Sequence, residues 1–137
     1  MSMRGSCRCN NIQLSWRNVD YSLVPRACGC QYCGPRGAAY VSKSGTQVTV
    51  TARKPKLVRQ QRHGSQQATF YECAYCNDIV LAASTIDGET YGAINVQCLD
   101  RQSRFPPPVQ ADVCGQSPEE KLRRWRSNWC SPATVKI

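Results

Sequence analysis

Hydrophobic and polar positions alternate with a period of two through much of the first hundred residues. Ile12, Leu14 and Trp16 share one face of the segment IQLSW, and Val48 and Val50 share one face of QVTVTA. ATFYEC and DIVLAAST continue the pattern on either side of a cysteine pair. TIDGETYGAINVQCL predicts a hairpin turning at Asp87-Gly88, a dipeptide suited to the positive φ of a two-residue turn. No helix-period segment precedes residue 100. The expected fold is mainly β, with small antiparallel sheets coiled over one another.

The texture changes after Leu99. RQSRFPPPVQADVCGQ carries three consecutive prolines, which lack backbone donors and predict an extended strap over the surface. SPEEKLRRW then supplies Ser117 as N-cap, Pro118 at the first helical position and Glu120 three residues after the cap. A short helix running toward Trp129 is predicted. Residues 101–137 are therefore read as a strap and helix packed on the domain formed by residues 1–100. Trp125 and Trp129 stand four apart on one helix face. Docking on a sheet is the favoured role for that face, and stacking on nucleic acid is the alternative.

A chain of 137 residues is long enough for one hydrophobic core. No apolar run approaches bilayer length, and MSMRGSCRCN has no secretory h-region, so a cytoplasmic location without a membrane partner is expected. In that reducing compartment ten cysteines point to metal ligands or catalytic thiols rather than to disulfides. The formal net charge of +9 falls to about +6 if seven cysteines hold two zinc ions as thiolates. A basic surface of this kind attracts nucleic acid or a small anionic substrate. Its densest clusters are RKPK at 53–56 and KLRRWR at 121–126.

Cysteine spacing sharpens the chemistry. Cys7 and Cys9 form C-x-C, which places both thiols on one side of an extended chain. Cys73 and Cys76 form the C-x-x-C knuckle that wraps two thiolates round one zinc. Asn10 and Asn77 follow the two pairs, and asparagine tolerates the left-handed backbone that curls round a metal. Together the pairs predict a closed, structural four-thiolate site. Cys28, Cys30 and Cys33, in CGCQYCGPRG, can bind a second zinc from one loop, with Gly29 and Gly34 relieving crowding. Three ligands leave the fourth position open, as in catalytic zinc sites. Two alternatives stand beside this: closure by Cys98, Cys114, Cys130 or His63, and a cluster of thiols without metal. Cys98 lies in an alternating strand pattern and reads as core.

The ordered motifs GSCRCNNIQL, CGCQYCGPRGAAY and YECAYCNDIVL resemble the glutathione-dependent formaldehyde-activating enzyme family, which includes the domain of centromere protein V. The resemblance covers about residues 4–100. It implies small coiled β-sheets, shared with a Rab-binding guanine-nucleotide-releasing factor. It also implies a structural zinc on Cys7, Cys9, Cys73 and Cys76 and a catalytic zinc on Cys28, Cys30 and Cys33. Asn10 and Asn77 replace the family's usual glycines, and the turn after Cys33 is one residue shorter. Gly34 stands where a basic residue is common, leaving Arg36 the nearest cation.

Three thiolates on a dication make a weak Lewis acid for water, and a fourth thiol is the better guest. The expected activity is that of a carbon–sulfur lyase resembling S-(hydroxymethyl)glutathione synthase, acting on a glutathione-type thiol and its carbonyl adduct. Arg36 is the candidate for steering the thiol's carboxylates. The competing expectation is a non-catalytic zinc-stabilised module that binds nucleic acid or a protein partner.

Overall fold

The alternating segments form strands where their periodicity places them. The computed structural model describes residues 2–28, 32–62, 66–100, 104–111 and 116–137. In chain order the strands are β1 (Ser2–Ser6), β2 (Ile12–Arg17), β3 (Arg26–Cys28), β4 (Ala39–Val41), β5 (Val48–Ala52) and β6 (Val58–Gln61). They continue as β7 (Thr69–Cys73), β8 (Ile79–Ile86), β9 (Glu89–Asn95) and β10 (Val109–Ala111), followed by the helix α1 (Pro118–Asn128) and β11 (Ala133–Lys136). Two sheets result, a four-stranded one ordered β1-β2-β5-β11 and a seven-stranded one ordered β10-β3-β4-β9-β8-β7-β6.

The main core lies between the sheets. Leu14, Trp16, Val48 and Val50 from the smaller sheet pack with Leu81, Ala83 and Ile94 from the larger. The opposite face of the larger sheet, with Ala82, Ile86 and Ala93, receives Trp125 and Trp129 of the helical segment. Strand β8 is thus covered on both sides, so DIVLAAST, expected to alternate, is instead buried at nearly every strand position. The two tryptophan rings stack 4.5 Å apart and are buried, so their role is docking, not a platform for bases. Ser117 accepts a hydrogen bond from the Glu120 N–H at 3.1 Å, the predicted cap. At the β8–β9 turn, Asp87 and Gly88 both adopt positive φ, 52° and 81°.

Three expectations are modified. The sheets are not wholly antiparallel, because β10 runs parallel to β3 and β11 parallel to β5. Both late strands arrive from long connections rather than hairpins, which permits parallel pairing. Part of the proline-rich strap therefore joins the larger sheet as an edge strand. Cys98 sits in a 3-10 turn, Val96–Cys98, not in a strand, though it is buried as expected. Cys130, a candidate for closing the second site, is fully buried and exchanges two backbone hydrogen bonds with Gly92, at 2.9 and 2.8 Å.

Candidate metal centre

The two cysteine pairs occupy hairpin turns of different sheets. Cys7 and Cys9 close the β1–β2 turn of the smaller sheet, while Cys73 and Cys76 close the β7–β8 turn of the larger. In each, the backbone doubles back through an asparagine with left-handed φ, 65° at Asn10 and 67° at Asn77. The Asn10 N–H donates to the Cys7 carbonyl at 2.9 Å and the Asn77 N–H to the Cys73 carbonyl at 2.8 Å. Asparagine therefore supplies the conformation that glycine commonly supplies at such a turn.

The four sulfurs converge. All lie within 4.8 Å of one another, with Cys7 Sγ 3.6 Å from Cys9 Sγ and Cys9 Sγ 3.5 Å from Cys73 Sγ. A tetrahedron of thiolates about 2.3 Å from a zinc ion has edges of about 3.8 Å, so the group can hold a metal ion of that size. The Ile12 N–H donates to Cys7 Sγ at 3.3 Å. Burial pushes the Cys7 thiol up to about 12. Burial also opposes ionisation at Cys73, but the N–H groups of Cys76 and Tyr75, together with neighbouring thiols, outweigh it and bring that thiol down to about 7. Arg8 ties the knuckles together from outside: its Nη2 donates to the Cys76 carbonyl at 2.6 Å, and its Nε meets Asp78 Oδ1 at 3.0 Å.

The second cluster is built on the β3–β4 connection. Cys28 ends β3, and Cys33 precedes the 3-10 turn Gly34–Arg36, which Gly37 closes at φ 65°. The Cys28 N–H donates to the Ala38 carbonyl at 3.1 Å, drawing the two ends of the loop together. Cys33 is completely buried with Ala38 and Ile79, and Cys28, Tyr32, Tyr40 and Phe70 pack around them. The Tyr40 hydroxyl lies 3.2 Å from Cys33 Sγ. Burial, then the Cys33 and Cys28 thiols, push the Tyr40 hydroxyl well above its usual range, so it stays neutral. Cys30 lies outside the described residues, as do His63 and Cys114.

Cys98 and Cys130 have other roles. The Cys98 thiol donates to the Ile79 carbonyl at 3.3 Å, and Cys130 Sγ accepts from Thr46 Oγ1 at 3.4 Å. Burial raises both thiols above the normal range. Among the described residues, neither belongs to a group that can hold a metal ion.

Between the clusters lies a feature that spacing did not reveal. Glu72, 2% exposed, receives the Tyr32 hydroxyl at 2.6 Å and lies 3.2 Å from Arg36 Nη2 and 2.8 Å from Arg59 Nε. Both arginines also donate to Asn77 Oδ1, at 3.1 and 2.7 Å. The Arg36 guanidinium sits 4.5 Å above the Tyr32 ring. Arg36, expected to steer a substrate carboxylate, is thus engaged by a carboxylate of the protein itself. The available signal was one acidic residue in an otherwise apolar strand segment, directly before Cys73.

These features match a known family. The model of the glutathione-dependent formaldehyde-activating enzyme family matches residues 2–114. The chain belongs to that family. A crystal structure of a Rhodobacter sphaeroides protein is similar with a TM-score of 0.57 at 20% identity, covering 78% of this chain and 100% of that one. At that identity the likeness concerns the fold. No curated protein matches the chain. Among the described residues, no helix is long and apolar enough to cross a membrane.

Proposed function

We propose that this protein is a zinc-dependent enzyme of the carbon–sulfur lyase type, acting on a glutathione-type thiol and its carbonyl adduct, such as S-hydroxymethylglutathione. The observation that carries this reading is the family match, which spans all three cysteine clusters. In it, Cys7, Cys9, Cys73 and Cys76 hold a structural zinc, and Cys28, Cys30 and Cys33 hold a second zinc with an open position. A zinc ion bound there would supply a site for a substrate thiol and favour its thiolate at neutral pH.

The chain's own residues supply placement. The short β3 strand and the 3-10 turn after Cys33 set the separation of the first and last thiols of the loop. The Tyr40 hydroxyl, buried and neutral, lies in hydrogen-bond contact with Cys33 Sγ and would donate to it once that sulfur is a metal-bound thiolate, fixing its direction. Tyr32, clamped by Glu72, anchors the loop just before Cys33. Fixing the thiol beside a carbonyl carbon turns a bimolecular encounter into a positioned one. As the carbon–sulfur bond forms, the thiol's proton passes to the carbonyl oxygen, and the reverse reaction breaks the same bond. No protein nucleophile is needed. A cytoplasmic location suits reduced thiols.

The test combines metal content, sulfur-coordination spectroscopy and exchange NMR. The expected result is two zinc ions per chain, a change in coordination of one on adding glutathione, and accelerated exchange between glutathione, formaldehyde and their adduct. Unchanged coordination together with an uncatalysed exchange rate overturns the proposal. Salt-sensitive binding to a short duplex, with no effect of glutathione, would support the binding-module alternative instead.

A further inference from the structure

Among the described residues, Arg26, on β3 just before Cys28, and Arg124, on α1, have no acidic partner. A cleft of about 360 Å³ opens between β3, the segment after β4 and the end of α1, with Arg26, Ser42, Lys43, Ser44, Ser127 and Asn128 among its lining residues. That size is at the lower end for small-molecule sites. Arg26 Nη2 donates to Ser42 Oγ at 3.3 Å. Arg124, four residues before Asn128, shares its helix face. Its Nε is buried without a hydrogen-bond partner, and burial and then repulsion from Arg26 disfavour its charge. Among the described residues neither guanidinium has an ion pair. Lys43, which also lines the cleft, is paired with Asp20 at 3.2 Å.

The cleft is also well placed. Arg26 stands two residues before Cys28 on β3, so the two side chains leave the same face, about 7 Å apart along the strand. Directly opposite Arg26 on β4 is Tyr40, whose hydroxyl meets Cys33 Sγ. In a short peptide thiol, sulfur and terminal carboxylate are separated by about the reach of two residues, about 7 Å.

We infer that Arg26 and Arg124 form the carboxylate-binding subsite for a peptide thiol whose sulfur is received by the Cys28–Cys33 loop. This rests on the thiol-binding reading above. It assigns to these two residues the task that the sequence suggested for Arg36. A carboxylate in the cleft accepts charge-assisted hydrogen bonds from both guanidinium groups and relieves their mutual repulsion.

The experiment separates the two ends of the ligand. S-methylglutathione keeps the carboxylates but blocks the thiol, while 2-mercaptoethanol keeps a thiol and lacks carboxylates. Titration calorimetry of the zinc-loaded protein should detect S-methylglutathione binding, weakened at least about tenfold in both Arg26→Gln and Arg124→Gln. Circular dichroism confirms that each variant is folded, and Arg36→Gln serves as the comparison with the smaller effect. In cobalt-substituted protein, the absorption change produced by 2-mercaptoethanol should persist in both variants. Unchanged S-methylglutathione affinity in the two variants, or no binding to the native protein, overturns the subsite. If S-methylglutathione binding depends on the arginines while no thiol perturbs the cobalt spectrum, the subsite stands and the thiol-ligation reading fails.

Discussion

The carboxylate of Asp78 receives Arg8 twice, from the backbone N–H at 2.8 Å and from Nε at 3.0 Å. Arg8 lies between the cysteines of the first knuckle and Asp78 two residues after the last cysteine of the second. The contact therefore joins the turns of two separate sheets beside the four-thiol site. Asp78→Ala should reduce metal affinity at that site by about 10- to 100-fold, the usual effect of losing a group that orients ligands. Competition against a chromogenic chelator measures it. An unchanged affinity would show that the four thiols orient themselves.

The four-thiol site links the sheets, whereas Cys28 and Cys33 lie on one loop of the larger sheet. Cys76→Ser should therefore lower stability by about 3 kcal/mol or more, a fall in Tm of roughly 10 °C or greater. Cys30→Ser should leave the melting temperature within a few degrees while lowering zinc content by one ion per chain. Thermal melts paired with metal analysis decide the matter, and equal destabilisation by both substitutions would refute this division.

Glu72→Gln keeps the shape of the side chain but leaves Arg36 and Arg59 facing a neutral amide. Removing one partner from a buried charge network costs about 3–5 kcal/mol, and the partial exposure of both arginines brings the expected loss to about 2–3 kcal/mol. Denaturant melts give the value directly. The Tyr32 hydroxyl also loses its charged acceptor, so the loop carrying Cys33 should show faster amide hydrogen exchange than in the native protein. Protection unchanged around Tyr32 would argue that the clamp does not hold the loop.

Gly5 reflects a close approach of two chain segments. A Cβ there would stand 2.2 Å from the Cys98 carbonyl oxygen, a backbone atom that cannot rotate away. Gly5→Ala should destabilise the protein by about 2–3 kcal/mol, in the range of overpacked cores. A variant as stable as the native protein in urea titration would mean that β1 can shift away from residues 98 and 99.

Local chemistry made much of this molecule legible. Period-two alternation marked β2 and β5 because one strand face is buried, Asp87-Gly88 marked the β8–β9 turn, and Ser117-Pro118 marked the helix because turns and caps involve only neighbouring residues. The C-x-C and C-x-x-C pairs, each followed by an asparagine, announced a four-thiol site because knuckle geometry is set within a few residues. Other features needed the tertiary structure. The parallel partners of β10 and β11 depend on where long connections return. The Glu72 clamp joins Tyr32 and Arg36 of the β3–β4 loop with Arg59 of β6, segments distant in sequence that meet when that loop packs beside β7. The pairing of Arg26 with Arg124 likewise arises when α1 docks on the larger sheet. Hydrogen bonds within a turn follow from the order of residues, but the charge facing a buried side chain is decided by which segments fold against it.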